Sequence, residues 1–466
     1  MAATPQVYTT AFIPALAIDD IADFIADPVA AADFPAHRLR FRNDRAAAQV
    51  GLNVLPDAAW IDHFGRFVPL PGAQPQPLAL RYHGHQFRVY NPDIGDGRGF
   101  LFGQCRDTAG RLMDFGTKGS GTTPHSRFGD GRLTLKGAVR EILATEMLEA
   151  LGVETSRTFS VIETGEHLHR GDEPSPTRSA VLVRLNHGHI RIGSFQRLAA
   201  LGQKAELDRL VAYSLKHYFS EEMGSDGPVR LLRHVATRTA RMAASFMAAG
   251  FVHGVINSDN INITGESFDY GPWRFAPSFD VDFTAAYFDS AGLYAFGRQA
   301  EAIHWDVVQL AIALSEIAES DALAAAVDHF GPAYRAAIVD RMLWRLGVVP
   351  KGGGSDVALV QAMEAALVTS QCPLDKFFFD WRGGHLRRPD AGYAIDAFAL
   401  FRAAVADYAP VGGLGHGYWS GAGPCSMLID EVEAIWASIA ANDDWTLFDS
   451  KLAAIRHMGE AHMLSA

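Results

Sequence analysis

The chain has 466 residues, is 48% hydrophobic, and sets 41 Lys and Arg against 53 Asp and Glu for a net charge of −12. This length and apolar content suit two to four domain-sized units or one large enzyme and exclude disorder as the main state. The acidic balance lacks the basic footprint that holds a nucleic-acid backbone, so no nucleic-acid partner is expected. Cys105, Cys372 and Cys425 contain no CxxC pair, which argues against a disulfide scaffold or a thiolate zinc site and points to a reducing, cytoplasmic setting. Met1 to Asp20 carry no Lys or Arg ahead of their apolar residues, so no secretory signal is expected. The longest weakly polar run, around Met242 to Val252, is far shorter than the ~18 residues of a spanning helix, and no membrane association is expected.

Residues 1–78 mix short helical patterns with Pro-rich joints and close on Pro69 to Pro77, where four prolines interrupt regular hydrogen bonding; this stretch is an N-terminal extension with a boundary at its end. From 79 to about 200, glycines punctuate short β-rich runs such as 99–103, 158–162 and 180–184. One helix interrupts them, Lys136 to Leu151, with Val139, Ile142, Leu143, Met147 and Leu148 at helical spacing and Gly152 as its stop. Beyond residue 200 the periodicity predicts helices over 205–219, 229–249, 301–318, 321–346, 355–370, 396–407 and 427–441. Between the second and third of these lies an irregular polar stretch, His253 to Phe288. A sheet-rich lobe with one helix, followed by a helical lobe holding a polar loop, is the layout of a two-lobed, protein-kinase-like α+β fold. Its expected parts are 1–78, a nucleotide-binding lobe at 79–200, a helical lobe at 201–320 and a helical C-terminal extension at 321–466.

Gly95-Asp96-Gly97-Arg98 recurs as Gly129-Asp130-Gly131-Arg132, with Lys118-Gly119-Ser120-Gly121 between them. Glycines let the backbone approach phosphate, and a neighbouring cation supplies the compensating charge; each motif alone also fits an ordinary Asp-Gly turn. GxxxxGK[ST] is absent, which disfavours a P-loop enzyme. Lys118 ends a strand-like run, and Glu141 follows 23 residues later on the lobe's helix, the arrangement by which kinase-like folds orient a cation onto nucleotide phosphates. His253 and Asn260 are seven apart, as in the kinase loop H-R-D-x-x-x-x-N, but Val255 stands at the position of the base. Asp269-Tyr270-Gly271 follows nine residues later, and an Asn oxygen with a carboxylate suits Mg²⁺. Asp259 beside Asn260 can serve as base in place of Val255; a buried polar turn is the alternative for this loop. Asp114-Phe115-Gly116 precedes Lys118 in a strand and is a chance match to DFG. His187-Gly188-His189 lacks an evident third ligand and is expected to be solvated. Lys376 to Trp381 is expected to be core.

These residues resemble the selenoprotein O family of kinase-like protein adenylyltransferases. The resemblance rests on Leu80 to Phe87, Gly95 to Arg98, Lys118 to Arg132, Val139-Arg140-Glu141, His189-Ile190-Arg191, Gly250 to Asn260, Phe268 to Pro272, Tyr294 to Phe296 and Trp305, in order from about residue 40 to 315. It implies ATP bound in a flipped pose, so that AMP is transferred to an acceptor hydroxyl and pyrophosphate leaves. It also implies that Lys118, oriented by Glu141, holds phosphates, while Gly95, Gly97, Arg98, Asp130 and Gly131 line the nucleotide. Arg184 and Arg191 bind phosphate oxygens, Asn260 and Asp269 hold the metal, and Asp259 accepts the proton. Arg88 stands where the family usually has Gly, and His125 where it has Tyr. The match weakens beyond about 320, and the chain ends His462-Met463-Leu464-Ser465-Ala466 without the family's C-terminal redox Cys or selenocysteine.

The sequence therefore predicts a cytoplasmic protein adenylyltransferase acting on Ser, Thr or Tyr hydroxyls with ATP and Mg²⁺ or Mn²⁺; it leaves the oligomeric state open, with a monomer favoured. UMP transfer from UTP stays open. The alternatives are a protein or small-molecule kinase and a nucleotide-binding pseudokinase scaffold.

Overall fold

In the computed structural model, residues 11–171 and 173–464 are described; positions 1–10 of the expected N-terminal extension and the final Ser465-Ala466 lie outside them. The strands are β1 (Ile13–Ala15), β2 (Ala26–Pro28), β3 (Arg38–Arg42), β4 (Leu78–Leu80), β5 (Gly84–Gln86), β6 (Val89–Asn91), β7 (Leu101–Arg106), β8 (Leu112–Lys118), β9 (Leu133–Thr134), β10 (Arg157–Leu168), β11 (Thr177–Asn186), β12 (Phe251–Val252) and β13 (Arg274–Phe275). Among the described residues, nine of these form one antiparallel sheet in the order β2-β4-β7-β8-β11-β10-β3, with β1 on β7 and β9 on β11. The fold is mixed α+β, a curled antiparallel sheet joined to many helices.

β7 and β8 meet at a turn in which the Asp107 carboxylate accepts the Ala109 and Arg111 N–H groups at 2.9 Å each, the local bonding that makes Asp a turn former. β8 is buried along its whole length because the sheet is covered on both sides. One cover comes from the first 78 residues. Helices α1 (Ala22–Ile25), α2 (Asp44–Gln49) and α3 (Asp57–Phe64) accompany β1, β2 and β3, and Trp60 stacks on Phe159 at 4.8 Å while Phe64 meets Phe102, Phe115 and Phe159. Each fully buried ring of this kind contributes about 1.5–3 kcal/mol. The expected boundary at 78 therefore does not divide the sheet: Pro69 to Pro77 is a connection between strands of one layer, and the stretch ahead of it supplies three strands and a core.

The other cover is α4 (Leu135–Ala150), whose N-cap Thr134 accepts the Gly137 N–H at 3.1 Å. Helical structure continues with α5 (Ile192–Ala200), α6 (Lys204–Tyr218), α7 (Gly227–Ala249), α8 (Gln299–Leu314), α9 (Ser320–Val327), α10 (Phe330–Leu346), α11 (Gly354–Ser370), α12 (Leu374–Asp380), α13 (Ala399–Val405), α14 (Gly417–Ser420), α15 (Ile429–Asn442) and α16 (Thr446–Met463). The single helix expected over 321–346 is two: Pro332 has no N–H to give to the carbonyl four residues back, and the chain breaks at Asp328-His329 before restarting. Phe377, Phe378 and Phe379 are buried core, as their composition suggests.

α16, which the periodicity did not pick out, lies along α4. Arg456 bonds the Glu146 carboxylate at 2.9 and 3.0 Å, and His462 Nδ1 bonds the Ala150 carbonyl at 2.9 Å. Its Gly459 sits where a Cβ would come within 3.2 Å of the Ala150 Cβ, a tight contact that a glycine in mid-helix relieves. No helix among the described residues is long and apolar enough to cross a membrane.

Candidate active site

A cavity of about 710 Å³ opens between one face of the sheet and the polar loop of the helical half, and Gly95, Gly97, Arg98, Lys118, Asp130, Gly131, Arg184, Arg191, Asp259, Asn260 and Asp269 all line it. The glycine turns form one wall. Gly131 has φ +69° and a Cβ there would lie 2.3 Å from the Gly121 backbone, so two glycine turns pass each other at a distance no side chain permits. Gly119 N–H donates to the Arg98 carbonyl at 2.6 Å and ties the third turn to the first. Arg98 is exposed. Asp130 lies on the rim, where Arg170 grips its carboxylate at 2.8 and 3.0 Å.

Register places the cations. In the pairing of β8 with β11, Lys118 stands opposite Leu182 and Gly116 opposite Arg184, so Lys118 and Arg184 share one face of the sheet. Buried Lys118 bonds the Glu141 carboxylate of α4 and lies 3.5 Å from Asp269 Oδ1. Arg184 donates to Asp269 Oδ1 at 2.7 Å, and Arg191, which precedes α5, donates to Asp269 Oδ2 at 3.0 Å and to the Asp259 carbonyl at 2.8 Å. Three buried cations thus converge on one carboxylate. Burial alone would raise the Asp269 pKa, but Arg184, Lys118 and Arg191 hold it well below the usual carboxylate range. Asp269 itself adopts φ +64°, a left-handed conformation that Asp tolerates and that these bonds keep in place.

Asp259 is the opposite case. It is 7% exposed, and its Oδ1 has no hydrogen-bond partner among the described residues. Burial, with Asp269 nearby, pushes its pKa up to about 6 against the pull of Arg191. The loop that carries it is fixed by the β5 segment: His85 N–H donates to Ser258 Oγ at 2.8 Å, Phe87 N–H to Asn257 Oδ1 at 3.1 Å, and Tyr294 O–H to the same oxygen at 2.7 Å. His253 is buried and donates through Nε2 to the Phe268 carbonyl at 2.9 Å; burial lowers its pKa, so it is a neutral strut. Asn260 Nδ2 donates to the Val255 carbonyl at 3.1 Å, leaving the amide oxygen as the group it can offer the cavity. That oxygen and the Asp269 carboxylate are hard donors that fit a divalent cation beside phosphate.

Three features escaped the sequence. Asp96, between the two cavity glycines, bonds the Leu80 N–H at 3.0 Å and faces Arg191 at 3.4 Å. Gly84 packs directly on Asp259. The third is a correction: His187 and His189 are buried, not solvated. His187 bonds the Leu112 carbonyl through Nδ1 at 2.8 Å, and His189 Nε2 accepts Arg184 Nε–H at 3.0 Å. A Cβ on Gly116 would lie 2.0 Å from that nitrogen, so the glycine of the chance DFG makes room for the histidine that steadies Arg184. The alternating Gly116 and Arg184 along paired strands could have signalled this only with the register known.

A buried carboxylate with its pKa raised to about 6 beside a cluster of cations has the chemistry to take a proton while a polyphosphate is held, as a nucleotide-dependent transferase requires. Comparison with known proteins narrows the class. The family model for protein adenylyltransferase SelO matches residues 7–388, and the chain belongs to this family. It is 48% identical over 338 residues to the protein nucleotidyltransferase YdiU of Synechocystis sp., covering 71% of this chain and 70% of that one. To the protein of the same name from Gloeobacter violaceus it is 44% identical over 461 residues, 94% of each chain, and to that from Pseudomonas aeruginosa 39% identical over 307 residues, 66% of this chain and 62% of that one. The family match starts earlier and runs further than the expected span of about 40 to 315, taking in α9 to α12.

Proposed function

We propose that this chain transfers AMP from ATP to a Ser, Thr or Tyr hydroxyl of a protein. The acceptor oxygen attacks the α-phosphorus, the bond from that phosphorus to the bridging oxygen breaks, pyrophosphate leaves, and the hydroxyl proton passes to Asp259. The observation that carries this reading is the Asp259 carboxylate, buried in the cavity with one oxygen unpartnered and a pKa near 6, where a kinase would use the position of Val255. A base with that pKa is largely ionised at neutral pH and still basic enough to take a proton.

In this reading Lys118, held by Glu141, and the pair Arg184 and Arg191 exchange Asp269 for phosphate oxygens, and Gly95, Gly97, Arg98, Asp130 and Gly131 line the nucleotide. Asn260 and Asp269 hold Mg²⁺ or Mn²⁺, which when bound neutralises phosphate charge. The sheet with α4 and the helices from α5 onward then correspond to the two lobes of a kinase-like fold, with the C-terminal helices packed against both. Three free cysteines, two of them buried, support a cytoplasmic setting, and we take the working unit to be one chain. Val255 alone favours a nucleotide-binding scaffold without activity, a reading that Asp259 opposes.

The test is intact-mass analysis of an acceptor protein after incubation with Mg²⁺-ATP and either the native chain or Asp259→Asn. A gain matching AMP with the native chain and none with the variant supports the reading; a gain matching phosphate overturns it.

A further inference from the structure

Far along the chain from the glycine turns and the polar loop, two histidines and a glutamate meet. His416 caps the start of α14, and His457 and Glu460 lie one turn apart on α16. Their ligand atoms all fall within 4.8 Å of one another, and the two imidazole rings stand 4.6 Å apart at 44°. None of the three lines the cavity described above. We propose that His416, His457 and Glu460 form a second metal site, selective for a borderline divalent ion such as Zn²⁺ and separate from the hard-oxygen site.

The donor set decides the class of ion. Two imidazoles and one carboxylate suit Zn²⁺, Co²⁺, Ni²⁺ or Cu²⁺, whereas Mg²⁺ takes oxygen ligands and gives up water reluctantly. Positions i and i+3 on a helix point to one side, so α16 offers two ligands from a rigid element and the loop ahead of α14 offers the third. Tetrahedral ligands around zinc lie about 3.3–3.5 Å apart at its usual bond lengths, so rotamer changes in these part-exposed side chains are enough to close the set. Glu460 makes no side-chain hydrogen bond or ion pair among the described residues, and His416 Nδ1 accepts only a long bond of 3.3 Å from the Tyr418 N–H. Coordination through either nitrogen gives up that bond, which at this length contributes little. Three protein ligands leave a fourth position for water.

The site joins two stretches of the C-terminal region. Its helix, α16, also holds α4 through Arg456 and Glu146, and α4 carries Glu141. A bound ion therefore clips the α14 loop to the helix that backs α4, and it stabilises the folded chain because the three ligands are assembled only there.

The experiment uses the full chain stripped of metal and kept in excess Mg²⁺, titrated with Co²⁺ while the visible spectrum is followed, then with Zn²⁺. One Co²⁺ per chain with the intense bands of tetrahedral coordination, displaced by Zn²⁺, is expected. His416→Ala and His457→Ala should each weaken binding by at least ~10-fold, Glu460→Gln should weaken it less while preserving the helix surface, and Asp269→Asn should leave it unchanged. Zn²⁺ should raise the melting temperature of the native chain and of Asp269→Asn but not of the histidine variants. Unsaturable Co²⁺ binding, binding unaffected by both histidine variants, or binding lost in Asp269→Asn would overturn the proposal.

Discussion

Gly84 on β5 and Asp259 in the polar loop press against each other: a Cβ on Gly84 would lie 2.9 Å from the Asp259 Cβ and 3.0 Å from its Oδ1. No left-handed backbone is involved, so the cost of a side chain there is one of space alone. Gly84→Ala should push the Asp259 carboxylate aside and lower the transfer rate by about 10²-fold, the effect of displacing a reacting group by about 1 Å. ATP affinity, read by calorimetry, should change little. Full activity in Gly84→Ala would show that Asp259 does not need its present position.

The pH dependence follows from the same residue. Asp259 must be ionised to accept a proton, and its pKa in the free enzyme is raised to about 6. The value of kcat/KM should therefore rise through pH 6 and level off above about pH 7. Stability runs the other way. A carboxyl group with a raised pKa favours folding below its unfolded value near 4, and that contribution is lost as pH climbs through 6. Asp259→Asn should accordingly be more stable than the native chain at pH 8, by up to about 3 kcal/mol, and no more stable at pH 4. Denaturant melts of both proteins at the two pH values check the sign.

Asp269 should fail differently. Its removal leaves Lys118, Arg184 and Arg191 buried without their shared anion, and breaking a buried pair of this kind costs about 3–5 kcal/mol. Asp269→Ala should lower the melting temperature, lose metal-dependent ATP binding and abolish transfer together. Added sulfate or pyrophosphate should restore part of the stability because an anion can take the place of the carboxylate. Thermal melts with and without these anions provide the measurement; an unrescued variant would mean that the three cations do not form an anion site.

Lys118 and Glu141 form a third test. Lys118→Ala should eliminate transfer, while Glu141→Ala should reduce it less, since it removes the partner that orients the lysine but leaves the lysine's charge in the cavity. Single-turnover rates with saturating ATP separate the two effects. A silent Glu141→Ala beside a dead Lys118→Ala would contradict the orienting role of the pair.

How much of this was legible in the sequence depended on distance along the chain. The glycine turns, the Lys118 strand and the Glu141 helix follow local rules of turn chemistry and periodicity; the structure places the turns and Lys118 around one cavity, with Glu141 outside its lining and bonded to the lysine. Arg184 and Arg191 reach Asp269 from 85 and 78 residues away; residue type alone could not bring them together, and only the family resemblance did. Gly84 against Asp259 and His189 beneath Arg184 were missed because each depends on which strands pair and in what register. The first 78 residues looked separate because prolines end them, yet Trp60 and Phe64 fill the face of the sheet opposite α4. α16 was obscured by buried Lys451 and His462 on its apolar side and by Gly459, whose place is explained only by the approach of Ala150.

Which phosphate of ATP moves is the most direct question. Incubation of the native chain and an acceptor protein with ATP carrying a label at either the α- or the γ-phosphate, followed by counting of protein-bound label, decides it. Adenylyl transfer predicts that α-label becomes covalently attached, that γ-label is released as pyrophosphate, and that Asp259→Asn abolishes the α-signal. Protein-bound γ-label without α-label would contradict adenylyl transfer and make the enzyme a kinase.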